Sequence, residues 1–305
     1  MGIKITRDAI INYDPIFTGT ISGYASGGKT APTTQINVIQ KFPFSSDSNS
    51  TDVGDLSQAR SFAVGQSSST SGYTSGGSTP TDTSKIDKFP FATDSNATDV
   101  GDLTQARSEA SGQSSDNHGY TSGGNPATNI IDKFPFTTDS NATDVGDLTF
   151  SKVLSAGQSS ETNGYSAGSA ISSNVIDKFP FSADANATDV GDLTQARFGA
   201  AGQSSTTHGY TSGGSTLVTM SNVIDKFTFS SDANASDVGD LTTGRYNVAG
   251  QSSSISGYSS GGYTTSTPTP SRFNIIDKFS FSSDANATDV GDVLSSTGSS
   301  AGQQV

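Results

Sequence analysis

Six copies of one oxygen-rich loop carry the chemistry that this chain is best equipped to perform. The fourth copy reads Asp184-Ala-Asn186-Ala-Thr-Asp189-Val-Gly191-Asp192, and its equivalents run from Asp47, Asn49, Asp52 and Asp55 to Asp284, Asn286, Asp289 and Asp292. Carboxylates and an amide on a glycine-bent loop offer hard oxygen donors of the kind that hold Ca²⁺. The spacing departs from an EF-hand loop, which needs D-x-[DN]-x-[DN]-G and a distal Glu. Asp and Asn also satisfy turn backbone with their own side chains. That second use is expected to prevail, so no metal or other cofactor is favoured, and Asp184, Asn186, Asp189 and Asp192 with their equivalents stand as the metal candidates.

Other reactive residue types are sparse. There is no Cys, and the two histidines, His118 and His208, occupy the same position in different copies of the repeat. Residues so placed belong to separate modules and cannot share one Ser-His-Asp geometry. No catalytic residue is therefore expected, and the chain reads as a non-enzyme. The lysines of the KFxF segment (Lys41 to Lys278) and the basic residues at Arg60, Arg107, Lys152, Arg197 and Arg245 could ring a recognition surface. Pairing with the repeat aspartates, or covering aromatic surface with their stems, is the favoured use. The tyrosines of the GY dipeptides (Tyr24, Tyr73, Tyr120, Tyr165, Tyr210, Tyr258) and the paired Phe recur once per repeat, which suits a core between modules better than a sugar-stacking platform. The Gln of each AGQ or VGQ segment (Gln66, Gln113, Gln158, Gln203, Gln251, Gln303) is expected to line a central channel.

These residues need a scaffold, and composition alone leaves its existence open. The chain has 305 residues, 31% of them hydrophobic, with net charge −13, which borders on disorder. Against disorder, the 26 Phe and Tyr sit mostly at fixed repeat positions and only 15% of residues are charged. The acidity is periodic too, since 23 of the 29 acidic residues belong to the six loops and to five Ile-Asp-Lys segments. Such a surface does not suit nucleic acid, which calls for clustered Lys and Arg. No apolar run approaches the ~20 residues of a membrane span, so no membrane insertion is expected. The opening MGIKITRDAIINYDPIF lacks the apolar centre of a signal peptide.

The scaffold follows from the repeat. The Lys of KFxF recurs at Lys41, Lys88, Lys133, Lys178, Lys226 and Lys278, at spacings of 47, 45, 45, 48 and 52. Each unit holds four short segments bounded by Gly, Asn, Asp or Ser, as strands are, and none has helical periodicity. They are of the types Ala200–Ser205, His208–Gly214, Asn222–Phe229 and Thr188–Arg197. Pro43, Pro90, Pro135 and Pro180 give way to Thr228 and Ser280, so proline should cap the third strand. Four strands per unit of this length is the arithmetic of a β-propeller blade. The repeat begins at strand two near Ser22, and the C-terminal segment Gly298–Gln304 matches strand one. An all-β, six-bladed propeller over residues 21–305, closed by the C-terminal strand in the first blade, uses every segment once. Residues 1–20 match no part of the repeat and read as a docking segment or an extra strand.

GYTSGG, then NVIDKF, VGDLTQAR and GAAGQSS, resembles the kelch repeat, with its double Gly, hydrophobic strand, Leu-x-x-x-Arg segment and small inner strand. The kelch Trp is absent, with Thr188 or Ser236 in its place, and the Arg is Lys152 in one unit and missing after Val293. The wording DKFPF…NATDVGDLTQAR also resembles repeats in virion proteins of marine cyanophages. That likeness implies a non-enzymatic virion protein, made in the host cytoplasm, on the particle surface or tail. Residues 1–20 would then contact other virion proteins, and a propeller face would meet a host glycan or protein. The alternative is a carbohydrate-binding, lectin-like propeller, with Ca²⁺ as the ion on which its binding would depend. Only the connection between strands two and three varies much in length, from Asn125–Thr128 to Tyr263–Phe273, which places specificity there. In the longest one, Tyr263, Pro268, Pro270, Arg272 and Phe273 are the candidate partner-binding residues.

Overall fold

Short runs of β-branched and aromatic residues between Gly- and Asn-rich turns form strands wherever neighbouring strands can bury both of their faces. The computed structural model describes residues 19, 21–30, 34–170, 173–264 and 271–305. Among them the chain forms six blades, each an antiparallel sheet of four strands. In the fourth blade these are Ala156–Ser159, Asn163–Ser169, Ser173–Pro180 and Thr188–Asp192, from the axis outward. Pro180 ends its strand, as do Pro43, Pro90 and Pro135, where a missing N–H costs the ladder least.

Two expectations need correction. The outer strand stops at Asp192 and does not run on to Arg197. Leu193 and Arg197 must bury their side chains, at 2% and 1% exposure, so the chain leaves the sheet edge and crosses inward to the next blade. Gly191 sits at the bulge before this departure, with φ 153°. A Cβ there would lie 2.5 Å from the carbonyl oxygen of Ala233, in the acidic loop of the next blade.

The second correction concerns the glutamines. Gln66, Gln113, Gln158 and Gln203 are among the residues around the axial cavity, but the amides of all six turn away from it. Gln66, Gln113, Gln158, Gln203, Gln251 and Gln303 are at most 2% exposed. Each turns its Nε2 into the following blade and donates to the carbonyl of that blade's tyrosine at 2.9–3.0 Å. A buried tyrosine carbonyl needs such a donor, and an amide supplies it without a charge. The axis is lined instead by glycine. At Gly65, Gly112, Gly157, Gly202, Gly250 and Gly302 a Cβ would come within 2.0–2.4 Å of the preceding blade's glycine oxygen, so only glycine allows the six inner strands to converge.

Ring closure is as the sequence implies. The C-terminal strand Ala301–Gln304 pairs with Ser22–Ser26, placing Tyr24 opposite Gln303 and Ser26 opposite Ala301. The inter-blade core closes with it. Tyr120 stacks on Phe181 of the next blade at 4.8 Å and tilts against Phe179 at 5.6 Å. The same geometry recurs around the ring and crosses the seam, where Tyr258 meets Phe42 and Phe44 at 5.6 and 4.7 Å. Such pairs are worth about 0.5–1.5 kcal/mol beyond their burial.

Two rings of ion pairs complete the blade contacts. Lys41, Lys88, Lys133, Lys178, Lys226 and Lys278 each reach the first Asp of the next blade's loop at 2.5–3.4 Å. These pairs are partly solvated, about 0.2–1 kcal/mol each. The inner set is fully buried: Arg60–Asp87, Arg107–Asp132, Lys152–Asp177, Arg197–Asp225 and Arg245–Asp277, at 2.8–3.3 Å. The sixth interface, the seam, has Thr297 where the cation would be and Gln40 where the Asp would be. Both are buried. Gln40 Oε1 accepts from Leu294 N at 2.6 Å and from Ser50 Oγ at 3.0 Å. Leu294 stands where the other interfaces have Thr or, once, Ser57, and Ser50 where they have Ala, so four positions change together there.

An unpaired buried charge is destabilising by about 3–5 kcal/mol, whereas a whole pair can be exchanged for neutral groups at little loss. Arg107→Thr alone should therefore destabilise by about 3–5 kcal/mol. Rebuilding the seam chemistry there, with Thr104→Leu, Arg107→Thr, Asp132→Gln and Ala142→Ser, should return the denaturation midpoint to within about 1.5 kcal/mol of wild type. A quadruple variant as unstable as the single one would contradict this account.

Candidate functional site at the axial mouth

An antiparallel blade puts the connections between strands two and three on the same face as the crossings to the next blade. On this face the two are joined directly. Ser61 bridges Ser78, Ser108 bridges Asn125, Phe198 bridges Ser215, Tyr246 bridges Tyr263, and Lys29 bridges Gly298. One residue beyond each crossing partner, the chain turns into the channel.

The six residues at that turn are Phe62, Glu109, Leu154, Gly199, Asn247 and Ser299, all with φ between 54° and 63°. Their backbones form a closed hydrogen-bonded circle. Phe62 N donates to Ser299 O, Glu109 N to Phe62 O, Leu154 N to Glu109 O, Gly199 N to Leu154 O, Asn247 N to Gly199 O, and Ser299 N to Asn247 O, at 2.6–2.9 Å. Left-handed conformation in a non-glycine residue is unfavourable by about 1–3 kcal/mol and persists where surrounding structure imposes it. Here the circle imposes it, and glycine stands at only one of the six positions.

This circle frames the mouth of a cavity of about 160 Å³ on the axis, lined by the inner strands of all six blades. Below the mouth the glycines narrow the passage. At the far end Ser67, Ser114, Ser159 and Ser204 each donate a backbone N–H to the next blade's serine Oγ at 2.9–3.0 Å. The mouth is acceptor-rich. Glu109 lines it half-buried, with its carboxyl held above the usual range by burial and by the nearby Asp82. Among the described residues no cation or side-chain donor reaches that carboxyl. Across the axis, Asn247 Oδ1 is buried over Gly199 without a donor. Phe62 and Leu154 flank Glu109 on the circle. Farther out on the same face Leu217 and Val218 stand 63% and 87% exposed.

The predicted sites distribute as follows. Tyr263 belongs to this face but is 5% exposed: its hydroxyl meets Ser299 Oγ at 3.0 Å and its ring lies under the Arg272 guanidinium at 4.9 Å. It supports the mouth from beneath and presents no contact surface, so shortening the loop from Gly262 would disturb the circle. Arg272 and Phe273 are half-buried, and Pro268 and Pro270 lie outside the described residues, as does the segment 1–20 except Gly19. Gly19 bridges Ser253 in the sixth blade.

The loop acids are at the opposite face and act as clasps. Asp184 binds Lys133 of the preceding blade at 2.5 Å, and Asn186 Oδ1 accepts from Asp147 N at 3.1 Å. Asp189 accepts from Gly191 N at 3.2 Å, an Asx-turn, and Asp192 O accepts from Ala235 N. Among the described residues no group of three or more His, Cys, Asp or Glu is placed to hold a metal ion. His208 Nδ1 is bonded to Thr207 Oγ1 at 2.8 Å, and burial lowers the pKa of both His118 and His208.

None of the recurring motifs points to the mouth residues, although the sequence does carry a signal for them. While the Ala, Gly, Gln and Ser positions that follow hardly change, this column holds six different residue types, and the column before it (Ser61, Ser108, Val153, Phe198, Tyr246, Gly298) holds five. A propeller of this kind is a platform for binding proteins or ligands. No protein-family model matches the chain, and no curated protein is similar to it in sequence.

Proposed function

We propose that the protein is a non-enzymatic binding propeller whose recognition surface is the axial mouth and the connections around it. The observation that carries this reading is the circle of Phe62, Glu109, Leu154, Gly199, Asn247 and Ser299, different in every blade and next to a crossing column that also varies, above inner strands that repeat almost unchanged. Structural requirements act alike on all six blades and would leave one residue type at that position. Six types on one rim make an asymmetric surface out of a symmetric ring, as recognition of a single partner demands. The exposed Leu217 and Val218 extend that surface with apolar area suited to a protein partner.

The likeness of the repeat wording to virion proteins of marine cyanophages supports a place on the particle surface or tail. There this face would meet the host or a neighbouring virion protein, and residues 1–20 would attach the propeller to the particle. The test uses Phe62→Ser with Leu154→Ser, which changes rim side chains and leaves the backbone circle intact. The melting temperature should stay within a few degrees of wild type, while the isolated protein should lose its ability to compete with particles for host adsorption. Competition unchanged in the variant would remove the mouth from the recognition surface. Mass spectrometry of purified particles tests the virion assignment separately, and binding on a glycan array would favour the lectin alternative.

A further inference from the structure

We infer that the axial mouth receives a cationic group, an ammonium or guanidinium, with Glu109 as its counter-ion. The inference rests on the mouth being the recognition site and names what that site takes. The circle spends its N–H groups on one another, so none of its backbone donors is left for an anion or a carbonyl. The charged group at the rim is the Glu109 carboxyl, which no cation or side-chain donor reaches among the described residues, and across from it the buried Asn247 Oδ1 lacks a donor. The side-chain donors of the circle are neutral, the Asn247 amide and the Ser299 hydroxyl, the latter shared with Tyr263. Buried acceptors left open are unfavourable until a donor arrives.

Charge points the same way. The first aspartate of each loop is engaged with the lysine ring, and the fully buried inner aspartates with Arg or Lys. Asp82, the acid nearest to Glu109 by its effect on that carboxyl, adds negative potential and offers no counter-charge. Replacing glutamate by a neutral residue would be neutral or favourable to the fold, since five other residue types occupy the equivalent position. A half-buried carboxyl that no part of the fold uses has its counterpart in a ligand.

The flanks define the shape of that ligand. Phe62 and Leu154 lie to either side of Glu109, and the cavity below has room for about 160 Å³. Apolar walls beside an acid suit a charge at the end of an aliphatic stem, as in lysine and arginine side chains, and an aromatic face attracts such a charge. A protein partner presenting a basic side chain, or a free amine, carries this chemistry.

The test titrates the full chain with butylammonium chloride, followed by calorimetry and NMR shifts, with butyramide and butyrate as neutral and anionic comparators. Saturable binding is expected for butylammonium and none for the comparators. Glu109→Gln should weaken it at least tenfold, whereas Glu161→Gln, the same charge change at an exposed turn elsewhere, should leave it unchanged. Leu154→Lys, which supplies a built-in ammonium beside Glu109, should also abolish binding, so the result does not depend on one variant's folding. A lysine-containing peptide that binds more tightly than butylammonium assigns the group to a protein, and equal affinity assigns it to a free amine. No saturable binding to wild type, or equal binding to Glu109→Gln, overturns the inference. In either case host competition by the Phe62→Ser, Leu154→Ser variant still judges the recognition face on its own.

Discussion

A chain lacking Ser299–Val305 should lose cooperative melting or aggregate on expression, because those residues complete the first blade and the ring at once. Ala301–Gln304 supply the inner strand, and their removal leaves Ser22–Ser26 as an unpaired edge beside the axis. The loss extends beyond one ladder. Gln303 staples the first blade to Tyr73 O at 3.0 Å, Gln304 N donates to Ser67 Oγ at 3.1 Å, and Gly302 closes the glycine ring. Val305 N and O bond Ser22, and Ser299 closes the backbone circle at the mouth. The first blade would then keep its neighbours only through contacts outside the lost strand, such as the Tyr258–Phe42 rings, the Arg60–Asp87 pair, the Gln251 bond to Tyr24 O and Lys278–Asp47. The summed destabilisation is comparable to the whole stability of a domain, about 5–15 kcal/mol. A permuted chain in which Ser299–Val305 precede residue 19 through a short glycine-serine linker keeps every strand, so it should melt like wild type. Light scattering and thermal melting of the three chains decide the matter: a truncated chain as stable as the full one would mean that the ring does not depend on its closing strand.

The repeat made blade number, strand count and closure legible, because each is a matter of spacing. Four segments per Lys-to-Lys interval and a split unit at the two ends leave one closed arrangement. Tyr and Phe were legible as inter-blade core for the same reason, since a residue present in all six units serves what all six units share. The direction of a side chain was not legible. Gln203 lies on the innermost strand, and position alone suggests that it faces the channel, but its amide is drawn 3.0 Å from Tyr258 O by a buried carbonyl that only the assembled ring creates. Leu193 and Arg197 were read as strand because they follow one without a break in polarity, yet their burial forces the chain off the sheet. Tyr263 looked like an exposed anchor because its loop is long, and loop length says nothing about which end is packed. The mouth residues are masked by a repeat whose pattern is set by what recurs. At Phe62, Glu109 and their equivalents the information lies in what does not. The seam carries the same lesson, since Gln40 and Thr297 each look like drift alone and make sense only as two halves of one replaced ion pair.

Raising the pH should unfold the ring in one step between about pH 10 and 12, with its buried tyrosines ionising only as it opens. Burial pushes the phenols of Tyr24, Tyr120, Tyr165 and Tyr210 from 10.0 up to about 12, and the loop aspartates beside them, Asp94, Asp184, Asp232 and Asp284, add to the rise. Tyr73 and Tyr258 are raised in the same direction by burial. A phenol whose pKa is higher in the folded state keeps its proton when the unfolded chain has lost it. Between pH 10 and 12 the folded protein therefore binds more protons at these phenols, and stability falls as pH rises; below pH 10 the phenols are protonated alike in both states and their contribution is fully present. Each tenfold difference in proton affinity is worth about 1.4 kcal/mol, so four phenols raised from 10.0 to about 12 remove on the order of 10 kcal/mol by pH 12. Solvent screening of the hydroxyl ends brings the loss somewhat below that figure. It still matches the stability of a typical domain and exceeds what the partly solvated lysine ring contributes. Lys152, which burial lowers to about 8, acts in the opposite sense over pH 8–10, where the unfolded chain holds the extra proton, but it is a single group against at least four. The measurement is tyrosinate absorbance against pH alongside near-ultraviolet circular dichroism. The expected result is a steep rise in tyrosinate absorbance that coincides with loss of the dichroism. Smooth ionisation of all the tyrosines near pH 10 with the dichroism intact would mean that the Tyr–Phe rings between the blades are open to solvent, contrary to the 2–3% exposure of these six side chains.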